Sequence, residues 1–322
     1  MKQLDNLFEN QIKIEKNQIF LSSKKEEVRK KQLQTNDTFS EKWGQFEQEE
    51  KKKDFYSFQR EWFLKLYGFD SQEDLENYLS TKKTIIDTGC GLGYKAAWFA
   101  SLAPHAIVIG VDLSEAVNIA AKNYKHIPNL YFYQADIAST GLKPAAFDFT
   151  VCDQVIMHTE NPKKTFEHLA SITSVGGEFA CYVYRKKALP RELVDDYFRK
   201  ATFDIPNEDL WEMSAQLTEL GKRLAALNVT IDAPDIPLMG IKGGTYDIQR
   251  FIYWNFIKCF WREEWGKEMC DSTNFDWYAP SNAQRFSKEE FITMINENKL
   301  EQRHFHEEEA CYSGRFLKSV KM

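Results

Sequence analysis

Thr84-Ile85-Ile86-Asp87-Thr88-Gly89-Cys90-Gly91-Leu92-Gly93-Tyr94 reads as a strand, a tight loop and the start of a helix. The apolar run ends at Asp87, glycines alternate through the turn, and an amphipathic segment follows from Lys95 to Leu102. Glycine lets a backbone turn sharply and approach a ligand closely, and a helix N-terminus offers unpaired N–H groups. Two ligand classes compete for such a loop. A dinucleotide site asks for G-x-G-x-x-G, whose third glycine would fall where Tyr94 stands. This chain instead reads D-x-G-x-G-x-G, with Asp87 two places before the first glycine. A carboxylate there repels a pyrophosphate and attracts a ligand that carries an amino group.

Working outward, His105 to Asp112 is a second buried parallel strand ending in an acid, followed by a helix with Ala116, Val117, Ala120 and Ala121 inward. Asp112 lies about 20 residues beyond the loop, where nucleotide-type sheets bind ribose hydroxyls. Leu130 to Tyr133 is the third strand, with Asp136 and Ile137 just past it. Phe147 to Asp153 is the fourth and leads to Gln154-Val155-Ile156-Met157-His158-Thr159. A helix through Thr165, Phe166, Leu169 and Ile172 ends at Ser174-Val175-Gly176-Gly177, and Glu178 to Tyr184 is the fifth strand. Ligands bind beyond the carboxyl ends of such strands, so Asp87, Asp112, Asp136 and Asp153 should line one crevice.

On these residues the chain resembles the class I S-adenosylmethionine-dependent methyltransferases, of small-molecule type. The resemblance runs from about residue 37 to 184, with a weaker echo from Asp276 to Lys318. It implies an α/β fold with a doubly wound, seven-stranded, mostly parallel sheet, closed by a hairpin from Glu301–Glu307 and Ser313–Lys318. It implies S-adenosylmethionine as cofactor and S-adenosylhomocysteine as product. The matching cofactor-binding positions are Asp87, Gly89, Cys90, Gly91, Gly93, Asp112, Leu113, Asp136, Ile137, Asp153 and Gln154. In that family an acid at the place of Asp136 accepts from the adenine amine, and its neighbour packs on the ring. Thr38-Phe39-Ser40-Glu41-Lys42-Trp43-Gly44-Gln45-Phe46 looks like the segment that closes over the cofactor. Simple packing of an aromatic helical layer is the other reading of that region.

At 322 residues, 43% apolar and 28% charged, the chain has room for one large domain with insertions or for two small ones. Lys plus Arg number 42 against 48 Asp plus Glu, a net charge of −6 that argues against a general polyanion binder. Six cysteines include no C-x-x-C pair and no zinc spacing, so buried free thiols are expected and no metal. No stretch approaches the roughly 18 apolar residues of a membrane span, and the N-terminus lacks a signal-like run, so a cytoplasmic protein is expected.

The expected divisions are a charged N-terminal segment (1–36) that includes a small hairpin around Lys16-Asn17, a helical lid (37–80) and a Rossmann-like core (81–184). A helical insertion on the substrate side (185–286) and a last helix with its hairpin (287–322) complete the chain. In the insertion, Pro190–Lys200 and Asn207–Leu227 read as helices, the second capped by Asn207. Tyr246–Trp265 reads as a third, apolar on more than one face and a candidate homodimer contact. Phe275-Asp276-Trp277-Tyr278-Ala279-Pro280 resembles a segment of some small-molecule members. Trp43, Tyr253, Trp277 and Tyr278 are the candidate substrate contacts. Ser287-Lys288-Glu289-Glu290 is a capping box.

Methyl transfer from a sulfonium needs alignment and exclusion of water more than a reactive side chain. Where the acceptor is a hydroxyl or protonated amine a base helps, and His158, beyond the fourth strand, is the candidate. It can equally pack or cap beside the cofactor. The leading expectation is therefore methyl transfer to oxygen, nitrogen or carbon of a small molecule. An RNA or protein methyltransferase would show a basic groove or an appended module. A non-catalytic S-adenosylmethionine-binding protein would tolerate decay of the loop, and an NAD oxidoreductase would want glycine at Tyr94.

Overall fold

The computed structural model describes residues 2–21, 32, 34–36, 38 and 49–319, with 49–55 described by backbone alone. It divides into two compact units. The first comprises Met1–Arg29, Trp43–Tyr184 and Gln284–Met322, and the second Lys30–Lys42 and Arg185–Ala283.

The first unit begins with a hairpin of β1 (Ile12–Glu15) and β2 (Gln18–Leu21), turned at Lys16 with φ 60°. Helices α1 (Glu49–Tyr67) and α2 (Gln72–Ser80) precede β3 (Thr84–Thr88). The chain then alternates α3 (Tyr94–Leu102), β4 (Ile107–Asp112), α4 (Ala116–Asn123) and β5 (Leu130–Gln134). After β6 (Phe147–Cys152) come α5 (Pro162–Ile172) and β7 (Thr173–Arg185). A helix at Lys288–Glu297, opened by the expected Ser287–Glu290 capping box, leads to β8 (Leu300–Glu307) and β9 (Cys311–Lys318).

The strands stand in the order β1-β2-β5-β4-β3-β6-β7-β9-β8. β5 to β7 are parallel neighbours, and the pairs at the closing hairpin are antiparallel. This is the expected doubly wound sheet, enlarged. The N-terminal hairpin adds two strands beside β5, and Arg285–Phe286 pairs with β7, making ten where seven were expected. The N-terminal segment is part of the core: Leu4, Leu7 and Phe8 before the hairpin and Ile19 within it are buried, and Phe132 N donates to Asn17 O at 2.8 Å. A reading of residues 1–36 as a charged segment is corrected to that extent. Residues 22–31, 33 and 37, and the lid motif beyond Thr38, lie outside the described residues.

Successive residues of a strand face opposite sides, and both sides here are covered. Ile85, Val108, Phe132, Phe149 and Val151 face the layer of α1 to α3, while Ile86, Ile109, Val111 and Tyr133 join Phe166, Leu169 and Phe291 on the other side. Burial on both faces is why β3 and β4 read as nearly continuous apolar runs. Each fully buried Phe contributes about 1.5–3 kcal/mol.

Gly176-Gly177 lies inside β7 rather than before it. Gly176 has φ 80°, and β7 passes from Thr173 to Glu178 while β6 passes only from Phe147 to Phe149. The glycines form a bulge within one long strand.

The second unit holds helices Leu189–Ala201, Asn207–Ala226, Ile248–Asn255 and Gly266–Tyr278, with an antiparallel pair of strands Thr230–Ala233 and Gly244–Asp247. Pro206, not Asn207, stands before the second of these helices, and no side chain caps it. The expected helix 246–265 is corrected: it stops at Asn255, and Glu263–Trp265 is a separate single turn. The reason is competition for backbone groups. Gln249 Nε2 donates to Cys259 O, Asn274 bonds both N and O of Phe260, and Tyr278 Oη accepts from Lys258 N. Those side chains hold 256–262 in a non-helical course. Its apolar character is spent on burial within the unit, where Phe251, Tyr253, Cys259 and Phe260 are all enclosed.

Candidate functional site

The glycine loop leaves β3 with Gly89, Gly91 and Gly93 all at positive φ (78°, 52° and 77°). The space is as restrictive as the torsion. A Cβ on Gly89 would lie 2.4 Å from Val155 Cγ1, and one on Gly93 2.7 Å from Phe132 Cε1. Gly89 N and Cys90 N both donate to Val111 O, which ties the loop to β4. Cys90 is buried, so it offers the site its backbone rather than its thiol, whose pKa burial raises well above the ordinary value.

The parallel register puts the four acids at neighbouring strand ends. Asp87 pairs across to Gly110 and Val151, Asp112 to Gln134, and Asp153 follows Cys152, itself opposite Cys181. Asp112 Oδ2 accepts the amide of Gly91 at 2.7 Å and its Oδ1 that of Ser114 at 2.8 Å. An ionised carboxylate has about four acceptor positions, so Asp112 retains capacity for two hydroxyls. Asp136 Oδ1 accepts from Ala138 N at 2.9 Å in a local turn. Ile137 is buried in the core cluster, and Leu113 gives its carbonyl to Gln134 Nε2.

Asp87 is 1% exposed, and its Oδ2 has no hydrogen-bond partner among the described residues. Burial pushes its pKa up to about 6; Lys95 and the Ala96 amide pull against this, and Asp153 and Asp112 add to it. Asp153 is buried too, yet both its oxygens have partners. Its Oδ1 accepts from Tyr67 Oη at 2.8 Å, and its Oδ2 from Lys95 Nζ at 2.5 Å and Gln154 Nε2 at 3.2 Å. Burial opposes the charge of Lys95, but Asp153 above all reverses this and holds the ammonium above its ordinary pKa.

Helix α1 reaches the same place. Gln59 Oε1 accepts from Tyr94 Oη and Gln154 Nε2, and Tyr56 stacks on Tyr94 with centroids 4.5 Å apart. His158 sits in the turn Ile156–His158 after β6, buried, with Nε2 3.3 Å from Tyr184 Oη and the two rings edge to face.

Among the substrate candidates, Trp43 lies outside the described residues. Tyr253, Trp277 and Tyr278 are gathered in the interior of the second unit around the buried pair Arg191–Asp195, whose Nε–Oδ1 distance is 2.9 Å. Arg191 lies over the rings of Tyr253 and Trp277 and donates to the Tyr253 carbonyl, and Tyr278 Oη donates to Asp195 Oδ1 at 3.1 Å. There these three side chains build that unit's core.

Lys95, Tyr67 and Gln59 were not anticipated. Lys95 had a legible signal: it is the one charged residue in a helix otherwise written YKAAWFASL, and a cation in a helix's first turn opposes the dipole. Tyr67 and Gln59 had none, because α1 is brought to the site only by tertiary packing.

Among the described residues no group of three or more His, Cys, Asp or Glu could hold a metal ion. The orphaned Asp87 oxygen and the spare acceptors of Asp112 fit a ligand with one ammonium and a ribose. A third glycine for a pyrophosphate is replaced by a stacked tyrosine.

Residues 79–233, somewhat under half of the chain, match the family model described as "Methyltransferase domain". Malonyl-[acyl-carrier protein] O-methyltransferase of Halalkalibacterium halodurans is 33% identical over 93 residues, covering 28% of this chain and 34% of that protein. An uncharacterised methyltransferase of Mycobacterium tuberculosis is 26% identical over 100 residues, covering 31% of this chain and 50% of the relative. The chain thus spans between a quarter and a half of the length of the curated relatives it matches. Among solved structures, magnesium protoporphyrin IX methyltransferase from Synechocystis, crystallised with bound SAH, is 14% identical over 76% of this chain and 78% of that one, with a TM-score of 0.41.

Residues 79–233 are a methyltransferase domain. With its strand order, its D-x-G-x-G-x-G loop and the acids at the ends of β3 to β6, this part of the chain resembles the class I S-adenosylmethionine-dependent methyltransferases.

Proposed function

We propose that the protein uses S-adenosylmethionine to methylate an oxygen, nitrogen or carbon atom of a small molecule. The observation that carries this reading is the buried Asp87 oxygen without a partner among the described residues, beside a glycine loop whose third dinucleotide position is Tyr94. An anionic pyrophosphate gains nothing from such an acid, whereas an ammonium does. Asp112 would take the ribose hydroxyls and Asp136 the adenine amine, while Gly89, Gly91 and Gly93 let the backbone approach.

The bound cofactor supplies an already activated methyl group. The residues of this chain align and enclose it, and water excluded from the site cannot compete with the acceptor. His158, held by Tyr184, would take a proton from a hydroxyl or ammonium acceptor. The net charge of −6 favours a small acceptor over RNA. The test is incubation with methyl-labelled S-adenosylmethionine and a fractionated cell extract. Label in the small-molecule fraction is expected; label confined to RNA or protein would replace this acceptor class, and none in any fraction would favour a non-catalytic binder.

A further inference from the structure

Lys95 stands in the first turn of α3, where the positive end of the helix dipole opposes a cation, and its side chain is only 9% exposed. A buried ammonium needs compensation, and here the compensation exceeds what one lysine requires. Asp87, Asp112 and Asp153 surround the loop. Both oxygens of Asp153 are already engaged, by Tyr67, Gln154 and Lys95 itself. Asp87 keeps a buried oxygen with no partner among the described residues. Lys95 has three hydrogens: one is given to Asp153 Oδ2 at 2.5 Å and a second to the Asp153 carbonyl at 3.4 Å, which leaves one. The base of the loop therefore presents an unfilled acceptor for a cation and a cation with donor capacity to spare. A zwitterionic amino-acid head has the complementary pair of charges.

Resting on the reading of this site as one for S-adenosylmethionine, we infer that Lys95 is its specificity-determining cation. It holds the carboxylate of the ligand's α-amino-acid head while Asp87 holds the ammonium. Asp153 keeps Lys95 oriented. The site then selects ligands that carry both charges over those that carry the ammonium alone. A lysine that serves only to neutralise Asp153 would give no such selection.

The experiment is calorimetric titration of the full chain with S-adenosylhomocysteine and with its decarboxylated analogue, on wild type, Lys95→Met and Lys95→Arg. Wild type is expected to prefer the carboxylate-bearing ligand by about tenfold or more. Lys95→Met should weaken that ligand by about tenfold to a hundredfold and the analogue by no more than about twofold, and Lys95→Arg should retain a preference. Equal losses for both ligands, no loss for either, or a wild type without preference would each overturn the inference while leaving the cofactor reading intact. A wild type that binds neither ligand overturns the cofactor reading, and the inference with it. Should Lys95→Met fail to fold with Asp153 left unpaired, Asp153→Asn is compared with Lys95→Met/Asp153→Asn. Selectivity in the first and none in the second is expected; the same selectivity in both contradicts the role of Lys95.

Discussion

Asp112 Oδ2 lies 2.7 Å from the amide of Gly91, so the acid that ends β4 also braces the glycine loop that leaves β3. The same carboxylate takes the Ser114 amide at 2.8 Å. Under the proposed function, bracing of the loop and recognition of the ligand share one side chain. Asp112→Ala leaves both amides without their acceptor and should cost about 1–3 kcal/mol of stability. Asp112→Asn, which keeps one acceptor oxygen, should cost less. Urea midpoints give the first comparison, and S-adenosylhomocysteine affinity, lower in both, gives the second.

Glycine substitutions separate torsion from space. Gly93→Ala meets both a φ of 77° and a Phe132 ring 2.7 Å from the new Cβ. Gly176, at φ 80° in the β7 bulge, has no atom of the described residues within 4 Å of a Cβ. Gly176→Ala should therefore cost about 1–2 kcal/mol from the left-handed conformation alone. Gly93→Ala adds the clash and should cost about 1–3 kcal/mol more. Equal midpoints for the two in chemical denaturation would contradict this.

The fold was largely legible because its signals are local. The run Ile85-Ile86, the loop after it and the acid closing each parallel strand follow from burial on two faces and from the switch in chain direction. What escaped was set by distant partners. The helix expected over 246–265 breaks because Gln249, Asn274 and Tyr278 claim its backbone, and no pattern in 256–262 shows that. The N-terminal hairpin was readable at Lys16-Asn17, but its place beside β5 was not. At the site, the acids could be read from strand ends. Tyr67 and Gln59 arrive by packing of α1, and the aromatics of 275–278 turn out to surround Arg191.

Stability should carry the signature of Asp87. Its pKa is about 6 against an ordinary 3.8. A carboxyl that holds its proton more tightly when folded stabilises the native state below about pH 4, loses that contribution between about 4 and 6, and is neutral in slope above. The shift corresponds to about 3 kcal/mol. Asp87→Asn should abolish this part of the pH dependence of the urea midpoint. Affinity for S-adenosylhomocysteine should show the converse, rising up to about pH 6 and then levelling, since the ammonium requires the carboxylate.

Tyr67→Phe deletes the hydroxyl 2.8 Å from Asp153 Oδ1 and should cost about 1.5–3 kcal/mol, as for a hydrogen bond to a charged group. Thermal or urea unfolding checks it, and an unchanged midpoint would show that Asp153 is adequately held by Lys95 and Gln154 alone.

In the second unit, Arg191→Met strands Asp195 in the interior, and a loss of about 3–5 kcal/mol is expected. Arg191→Met combined with Asp195→Leu should recover most of it, because a neutral pair needs no counter-charge. Denaturation of the single and double variants decides whether the pair or its packing matters.

The most direct measurement of the central claim is calorimetric titration of wild type and Asp112→Ala with S-adenosylmethionine, S-adenosylhomocysteine and NAD. Binding of the first two, weakened in the variant, and no heat from NAD are expected. Binding of NAD in preference to both, or adenosylhomocysteine binding indifferent to Asp112, would contradict that claim.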